Sequence, residues 1–463
     1  MKKIVALCIC GVLLMSTKWL GIDGRSTALN TATNSNTDTV AVCPPPPLSG
    51  LAFHCFAPED VPRFNSLEEA QQRLEPQGGG TILLQPGGYQ TTLSWEGDWV
   101  IRGLNFPEAV ILVPREKDAP SSVGGVDSAN SPALFTVKSG SSLRLENLTL
   151  RDDSLPPPNE FVEAWAIGVR VKSGAQFAAQ NVLFQYWVHR PVLVERGGGA
   201  WLSETWFTCP SVGNNKGPLM LDGRLYVEKS RFEHCDIATL RPTSETPTST
   251  GLSVSEFIDN EFFHSRLSSS STVTRLERDR FVNIRPEVSF GLFGASPIDI
   301  IFIGGAEARV IDNVFAIRDS FTRNEVSNIS PIDEFGAISL GLVKAIETAS
   351  RRVELSGNEF RGFQIGVDLN SFGNEDIRLS DNVFEANRIS IHFNDRLQGT
   401  IRLENNRFAS TVDCEIFVTT TNRGLPGEGQ IELVGTGNVF QNQAPIICPE
   451  DVILSLPEGF IAN

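Results

Sequence analysis

A short pattern that recurs through most of the chain constrains the fold more than any other feature. It consists of an apolar residue, two small or polar residues, Asn, one free residue and Phe, as in Leu379-Ser-Asp-Asn-Val-Phe384. Consecutive copies end at Phe360, Phe384 and Phe408, which are 24 residues apart. Other copies, some of them degenerate or followed by insertions, end at Phe207, Phe232, Phe262, Phe281, Phe315 and Phe440. Self-similarity at a fixed period of this length predicts a solenoid.

The segments between the copies favour strands over helices. Ile389-Ser-Ile-His-Phe393 and Thr400-Ile-Arg-Leu403 alternate apolar and polar residues with the period of a strand. We therefore expect an all-β, single-stranded parallel β-helix with three short strands in each coil of about 24 residues. Its coils would stack about 4.8 Å apart, so that the Phe side chains form an inward column and the Asn side chains a hydrogen-bonded ladder. A leucine-rich repeat is the alternative, but it needs a helix-like or Leu-rich outer segment in each unit.

The N-terminal stretch indicates export. Lys2 and Lys3 precede an apolar run from Ile4 to Met15, which is typical of a signal peptide and short for a bilayer span of roughly 20 residues. An uncleaved anchor that extends to Leu20 is the alternative, and the cleavage site is not defined by the sequence. The predicted organisation is a signal peptide (1–28), a disordered spacer with a Cys/Pro-rich loop (29–58), an N-terminal cap helix (59–78), a parallel β-helix (79–448) and a C-terminal tail (449–463).

A single amphipathic helix is expected just before the first strand. Ser66 can cap it, and Glu69 can bond back to that cap. Leu67, Ala70 and Leu74 then fall on one face. A helix in this place would cover the open end of a solenoid.

The charge and the cysteines limit the compartment and the partners. A net charge of −16 argues against nucleic acid or an anionic membrane surface as partner, but it permits a polysaccharide or glycan. Six cysteines beyond the signal fall into pairs, which favours disulfides in a secreted, periplasmic or cell-surface protein over a metal site or buried free thiols. The predicted pairs are Cys43 with Cys55, Cys209 with Cys235, and Cys414 with Cys448.

The region from Ser66 to Val113 resembles the N-terminal coils of the pectate-lyase-like superfamily. The resemblance rests on a short helix, the Gly-rich turn Gly78-Gly-Gly80, an apolar triplet, Pro86-Gly-Gly-Tyr89 and a strand that ends at Gly103. It implies a right-handed parallel β-helix. The superfamily includes polysaccharide lyases, hydrolases and esterases as well as proteins of other roles, so the resemblance implies a fold and not an activity.

Enzymes of this superfamily work with carboxylates and basic residues from neighbouring coils, which makes four residues candidates for catalysis. Asp299, in Pro297-Ile-Asp-Ile-Ile-Phe-Ile-Gly304, is similar in its setting to the nucleophile of pectin esterases, although the partner Gln-Asp motif of that family is missing. His189 and Arg190 form a basic pair, and Asp222 lies on the following coil. Each of these residues also suits an ordinary turn. No cofactor is expected, except Ca²⁺ if the protein is a lyase.

Two functional hypotheses remain from the sequence. The first is an exported β-helix protein that binds or structures carbohydrate at the cell surface, and the second is a polysaccharide lyase, hydrolase or esterase. The absence of a complete catalytic set favours the first. Sugar binding uses exposed aromatic side chains, and the candidates are Trp165, Trp187, Trp201 and Trp206. Outward side chains on one face would favour contact with carbohydrate, whereas side chains in the core would weaken both hypotheses.

Overall fold

The computed structural model describes most of the chain from residue 38 onward. The described residues are 38–43, 58–114, 133–152, 167–187, 190–209, 216–221, 223–240, 253–282, 298–304, 306–316, 343–348, 352–369, 373–374, 376–393, 397–411, 413–418, 431–442, 445–448 and 456–461. The predicted signal peptide, residues 1–28, lies outside them.

Three stacks of parallel strands form a right-handed parallel β-helix, as predicted. The first face contains β1 (Thr39–Val42), β3 (Gly79–Leu84), β6 (Asp98–Gly103), the first halves of β9 (Ser142–Arg151) and β11 (Gln176–Gln185), β13 (Gly199–Ser203), β16 (Arg224–Glu228), β19 (Val254–Ile258), β22 (Val273–Glu277), β25 (Glu307–Ile311), β28 (Arg352–Ser356), β32 (Asp376–Ser380), β35 (Leu397–Glu404) and β38 (Ile431–Val434). Two short strands, β2 (Arg63–Phe64) and β31 (Gly373–Asn374), pair with β1 and β35.

The other two faces complete each coil. The second face contains β4 (Gly87–Gln90), β7 (Val110–Val113), the second halves of β9 and β11, β14 (Trp206–Thr208), β17 (Arg231–Glu233), β20 (Glu261–Phe263), β23 (Arg280–Val282), β26 (Val314–Ala316), β29 (Glu359–Arg361), β33 (Val383–Glu385) and β36 (Arg407–Ala409). The third face contains β5 (Leu93–Trp95), β8 (Ala133–Val137), β10 (Ile167–Val171), β12 (Arg190–Val194), β15 (Lys216–Leu221), β18 (Asp236–Leu240), β21 (Arg266–Ser269), β24 (Ile298–Ile303), β27 (Val343–Thr348), β30 (Ile365–Leu369), β34 (Ile389–Phe393), β37 (Cys414–Val418) and β39 (Ile447–Cys448).

The recurring Asn marks the corner between the first and second faces. The residue before it has left-handed backbone, for example φ 57° at Asp381, which turns the chain between two strands. The Asn that follows is buried and bonds to its counterparts on the coils above and below. For example, Asn358 Nδ2 donates to Asn382 Oδ1 at 3.0 Å, and Asn382 Nδ2 donates to Asn406 Oδ1 at 3.0 Å. The predicted structural ladder is confirmed.

The recurring Phe forms the inward column that the period predicts. Parallel stacks run without interruption along the second face, with ring centroids between 4.2 Å and 5.0 Å apart. The column consists of Phe184, Phe207, Phe232, Phe262, Phe281, Phe315, Phe360, Phe384, Phe408 and Phe440. Because each Phe from Phe207 to Phe408 has a ring of the column on both sides, register along the helix is fixed by packing as well as by the ladder.

The predicted cap helix is present as α1 (Leu67–Leu74), followed by 3₁₀ turns at Glu75–Gln77 and, later, Pro107–Ala109. Ser66 Oγ accepts from Glu69 N at 3.2 Å, while Glu69 Oε2 accepts from Asn65 N at 3.1 Å and not from Ser66. Leu67, Ala70 and Leu74 are buried, as their spacing predicts.

The predicted spacer is wrong at residues 39–42. These residues form β1, which pairs with β3 in parallel register from Thr39 opposite Thr81 to Val42 opposite Leu84. The segment contains only small and β-branched residues, and the composition of its surroundings concealed it. It is ordered because it satisfies the edge of β3, and its Val40 and Val42 pack into the core.

The predicted C-terminal tail also contributes to the fold. Phe460 is fully buried, its ring centroid lies 6.2 Å from that of Phe440, and its carbonyl accepts from Asn438 Nδ2 at 3.1 Å. Phe460 therefore covers the end of the Phe column at Phe440, and its carbonyl accepts the last amide of the Asn ladder.

Two of the predicted disulfides are confirmed. Cys209 pairs with Cys235 and Cys414 with Cys448, with Cα–Cα distances of 5.2 Å and 6.0 Å. Cys43 is also disulfide-bonded, while its predicted partner Cys55 lies outside the described residues. Within the described part of the chain, no helix has the length and hydrophobicity needed to cross a membrane.

Candidate functional site

Trp201 lies on the outer side of β13. Its neighbours Ala200 and Leu202 are buried in the core, so strand alternation directs the indole away from it. Trp201 is opposite Ala178 on one adjacent coil and Tyr226 on the other. The indole extends over Gly199, where an added Cβ would come within 2.9 Å of two ring carbons. Glycine at that position thus allows the ring to lie against the strand as a partly exposed platform.

Tyr226 continues this surface on the next coil. Its hydroxyl donates to Glu228 Oε2 at 2.9 Å, and Ser203 Oγ donates to Glu228 Oε1 at 3.0 Å. The carboxylate of Glu228 therefore fixes the phenol from one side. A Trp and a Tyr on stacked strands, beside hydroxyl and carboxylate groups, can offer both ring faces and hydrogen-bond partners to a polar ligand.

Trp206 lies on β14 of the same coil, across the corner formed by Glu204 (φ 55°). It is 38% exposed, a high value for a tryptophan. The guanidinium carbon of Arg231, on the next coil, lies 5.3 Å from the centroid of the indole and 5.8 Å from that of Phe263. This cation–π contact holds the ring without hiding it. Trp201, Tyr226, Trp206, Arg231 and Phe263 together are called the aromatic surface below.

Carboxylates hold Arg231 over the indole. Arg231 Nη2 lies 2.6 Å from Glu233 Oε1, and Arg231 Nη1 lies 3.6 Å from Glu261 Oε2. Glu261 also faces Arg280, at 3.5 Å between Oε1 and Nη1. These ion pairs are partly exposed and contribute little to stability, but they fix the orientation of the guanidinium. A further exposed ring, Tyr186, belongs to the preceding coil, where its backbone N donates to Thr208 O at 2.9 Å.

The aromatic surface has the chemistry of binding more than that of acid–base catalysis. General acid–base catalysis by two carboxyl groups needs environments that separate their pKa values. Among the described residues, burial raises the pKa of the carboxyl groups of Asp279 and Glu415, but both side chains are buried away from this surface. Within the same residues, no group of three His, Cys, Asp or Glu side chains is placed to hold a metal ion.

The prediction for Trp187 as a sugar-binding residue is wrong. Its side chain is fully buried in the core, and its Nε1 donates to Leu150 O at 3.1 Å. It lies just after the end of β11, where the chain turns toward the third face and a large inward ring fills the corner. The other tryptophan predicted for binding, Trp165, lies outside the described residues.

The predicted catalytic residues do not form one described cluster. Arg190 begins β12 opposite Ile167 and is 5% exposed. Asp299 is opposite Lys344 in the pairing of β24 with β27, and only its backbone is described. The strands that carry Arg190 and Asp299 are four strand spacings apart on the third face, about 19 Å. His189 and Asp222 lie outside the described residues, so their catalytic roles stay predictions.

A buried acid–imidazole pair was missed by the sequence reasoning. Asp368 and His392 are in register on β30 and β34, with 2.9 Å between Asp368 Oδ1 and His392 Nδ1. They alternate with core residues, so they lie on the outer side of the third face, yet their side chains are only 1% and 7% exposed. Their separation of one coil length is the signal that could have paired them. Such low exposure suits an internal polar contact and not the docking of a polymer.

Comparison with known proteins found solved structures with a similar backbone course and low sequence identity. No family model matches the sequence, and no curated protein matches it. Among solved structures, the chain is similar to PfbA, a surface adhesin of Streptococcus pneumoniae (TM-score 0.46, 12% identity, 79% of this chain and 90% of that chain). It is similar to the catalytic domain of a GH87 alpha-1,3-glucanase in complex with nigerose (0.43, 12%, 88% and 70%) and to a family 28 exopolygalacturonase of Yersinia enterocolitica (0.43, 10%, 80% and 74%). At such identities these likenesses say nothing of activity, and the strand pairings of the chain itself give the parallel β-helix.

Proposed function

We propose that this protein is an exported β-helix that binds carbohydrate through the aromatic surface, without cleaving it. The observation that carries the proposal is the arrangement of Trp206, which is 38% exposed and held under Arg231 across the corner from Trp201. Sugar rings stack on such aromatic faces through their C–H groups, while neighbouring carboxylate and guanidinium groups bond to hydroxyls.

Export is supported by the cysteines and by the first residues of the sequence. Disulfides such as Cys209–Cys235 and Cys414–Cys448 persist in oxidising compartments. The apolar run from Ile4 to Met15 after two lysines is typical of a signal peptide. Together these features favour a secreted, periplasmic or cell-surface protein.

The ligand class follows from the composition of the aromatic surface. Its cation, Arg231, is paired with Glu233 and Glu261, so the surface offers no excess of positive charge to an acidic polymer. With a chain net charge of −16, long-range steering also disfavours anionic ligands. A neutral polysaccharide is therefore the expected ligand, and an acidic one requires a bridging cation.

The test is a binding screen of the purified protein against neutral and acidic polysaccharides, with and without Ca²⁺. Reducing ends and unsaturated products are measured in the same samples. We expect retention of at least one neutral polymer with no new ends. New reducing ends or unsaturated products would establish the alternative, a polysaccharide hydrolase or lyase, and binding to no polymer would contradict the proposal.

Variants locate the binding. Trp201→Ala and Trp206→Ala should each weaken binding, and matched controls exist in the same outward columns of the solenoid. Arg402 stands in the column of Trp201, and Arg407 stands in that of Trp206. Arg402→Ala and Arg407→Ala should leave binding unchanged. Equal losses in all four variants would place the binding elsewhere.

A further inference from the structure

Amides of the ladder make a repeated set of hydrogen bonds. Asn358 Oδ1 accepts from the backbone N and the Nδ2 of Asn313, both at 3.0 Å. Asn358 Nδ2 donates to Asn382 Oδ1 at 3.0 Å and to the carbonyl of Val310 at 2.7 Å. Asn406 continues the same scheme two coils further on. At each ladder position, one side-chain atom accepts hydrogen bonds from the Asn of the preceding coil. The other side-chain atom donates to two acceptors, namely the Asn Oδ1 of the following coil and a backbone carbonyl of the preceding coil.

Asp279 occupies one position of this ladder. Its Oδ1 fulfils the acceptor role, since it accepts from Asn260 N at 2.8 Å and Asn260 Nδ2 at 2.9 Å, and its backbone N donates to Asn313 Oδ1 at 2.7 Å. Its Oδ2 is buried without a hydrogen-bond partner. By the register of the ladder, Oδ2 stands where an amide nitrogen stands on other coils, toward Asn313 Oδ1 and the carbonyl of Phe257, the counterpart of Val310. Both of these groups are acceptors.

An ionised Asp279 would therefore direct a charged oxygen at two other oxygens inside the protein. The side chain is 1% exposed, and burial raises the pKa of its carboxyl group to about 8. The nearest corner residues of the preceding and following coils are also acidic, namely Asp259 and Asp312. Arg278 precedes Asp279 in the chain, but it is bound by Asp259 at 2.7 Å and 2.9 Å and by Glu277. The guanidinium of Arg278 is thus paired with these carboxylates on the outside of the solenoid and does not neutralise Asp279.

We propose that Asp279 is held in the folded protein as a neutral carboxylic acid, whose O–H replaces a ladder amide as donor, and that its deprotonation weakens the β-helix at this coil. The proton on Oδ2 donates to Asn313 Oδ1 or to the Phe257 carbonyl and restores the hydrogen-bond scheme. Deprotonation removes that bond and leaves Oδ2 as a charged oxygen that faces two acceptors, without a cation inside the coil. The hydrogen bonding between the coil of β22 and β23 and the coil of β25 and β26 therefore depends on pH.

The sign of the pH dependence follows from linkage. An unfolded Asp has a pKa of about 3.9, so the folded state holds one more proton than the unfolded state between about pH 4 and pH 8. The stabilising contribution is complete below this window and is lost as the pH rises through it. Within the window, the unfolding equilibrium constant of the wild type should rise about tenfold per pH unit relative to that of Asp279→Asn.

Two measurements on the full-length protein test the proposal. Infrared difference spectroscopy should show the carbonyl band of a protonated carboxylic acid near neutral pH that disappears above pH 8 and is absent from Asp279→Asn. Urea unfolding across the same pH range should show the relative slope just described. Asp279→Asn restores the amide of the ladder, so it is expected to fold.

Matched variants separate the ladder position from acidity as such. Asn358→Asp places a second acid in the ladder and should add a similar pH dependence, whereas Asp312→Asn, at an exposed corner, should leave the slope unchanged. A wild type without the acid band, or a wild type and Asp279→Asn with parallel pH profiles, would overturn the proposal.

Discussion

Replacement of Asn382 by Ala tests the ladder at its most regular point. The side chain makes four hydrogen bonds: Nδ2 donates to Leu355 O and Asn406 Oδ1, and Oδ1 accepts from the backbone N and Nδ2 of Asn358. All of these groups are in the buried corner. Each bond contributes about 1 kcal/mol, and a buried donor left without an acceptor costs about 1–3 kcal/mol. Because Asn358 N loses the Asn382 Oδ1 acceptor while Asn358 Nδ2 keeps the Val310 carbonyl, we expect a loss of about 4 kcal/mol in the free energy of unfolding.

The assay combines urea unfolding with amide hydrogen exchange. Exchange should accelerate first at Asn358, whose backbone N donates to Asn382 Oδ1 at 3.0 Å. Asp381→Asn is a close control, because Asp381 is exposed, precedes Asn382 in the same turn and keeps its left-handed backbone. Its effect should stay within about 0.5 kcal/mol. If Asn382→Ala also stays within that range, hydrogen bonding in the ladder does not stabilise this fold, and the reasoning is wrong.

Two further stability predictions follow from the described contacts. The Cys414–Cys448 disulfide closes a loop of 34 residues, so Cys414→Ser with Cys448→Ser should lower the free energy of unfolding by about 3–4 kcal/mol. Reductant should lower the urea midpoint of the wild type at least as far, because it also opens Cys209–Cys235. An unchanged midpoint in the double variant would show that the bridge does not constrain the unfolded chain. Ser66→Ala removes the N-cap bond to Glu69 N and should cost about 1 kcal/mol, while Ser66→Asp should retain the cap. Equal loss in both Ser66 variants would mean that the hydroxyl does not act as a cap.

The sequence was most informative where a physical constraint recurs. The Phe must stack on its counterparts and the Asn must find donors and acceptors on the adjacent coils. Both requirements recur from coil to coil and produce the repeated sequence pattern. The coils and their core could therefore be predicted from Phe184 to Phe440. The helix α1 was predictable because its cap and its buried stripe are local in sequence. Strand β1 was not, because its order depends on the distant edge of β3.

The candidate site was less accessible to sequence reasoning. A Trp in a solenoid faces inward or outward according to its parity in the strand, so Trp201 between two core residues could be placed on the surface. Trp187 follows the last residue of β11, where parity no longer holds, and its ring turned out to fill the core. Arg231 and Phe263 join Trp206 only through the register of successive coils. That register depends on the lengths of the insertions between coils, which composition does not give.

The most direct test of the proposed function is a titration of the best polysaccharide from the screen into the wild type, Trp206→Ala and Arg407→Ala. Truncation of a Trp that anchors an interface costs at least about 2 kcal/mol, and tenfold in Kd corresponds to about 1.4 kcal/mol. The account therefore predicts a Kd raised at least about 30-fold in Trp206→Ala and unchanged in Arg407→Ala. Equal affinity of the wild type and Trp206→Ala for every neutral polymer would contradict it.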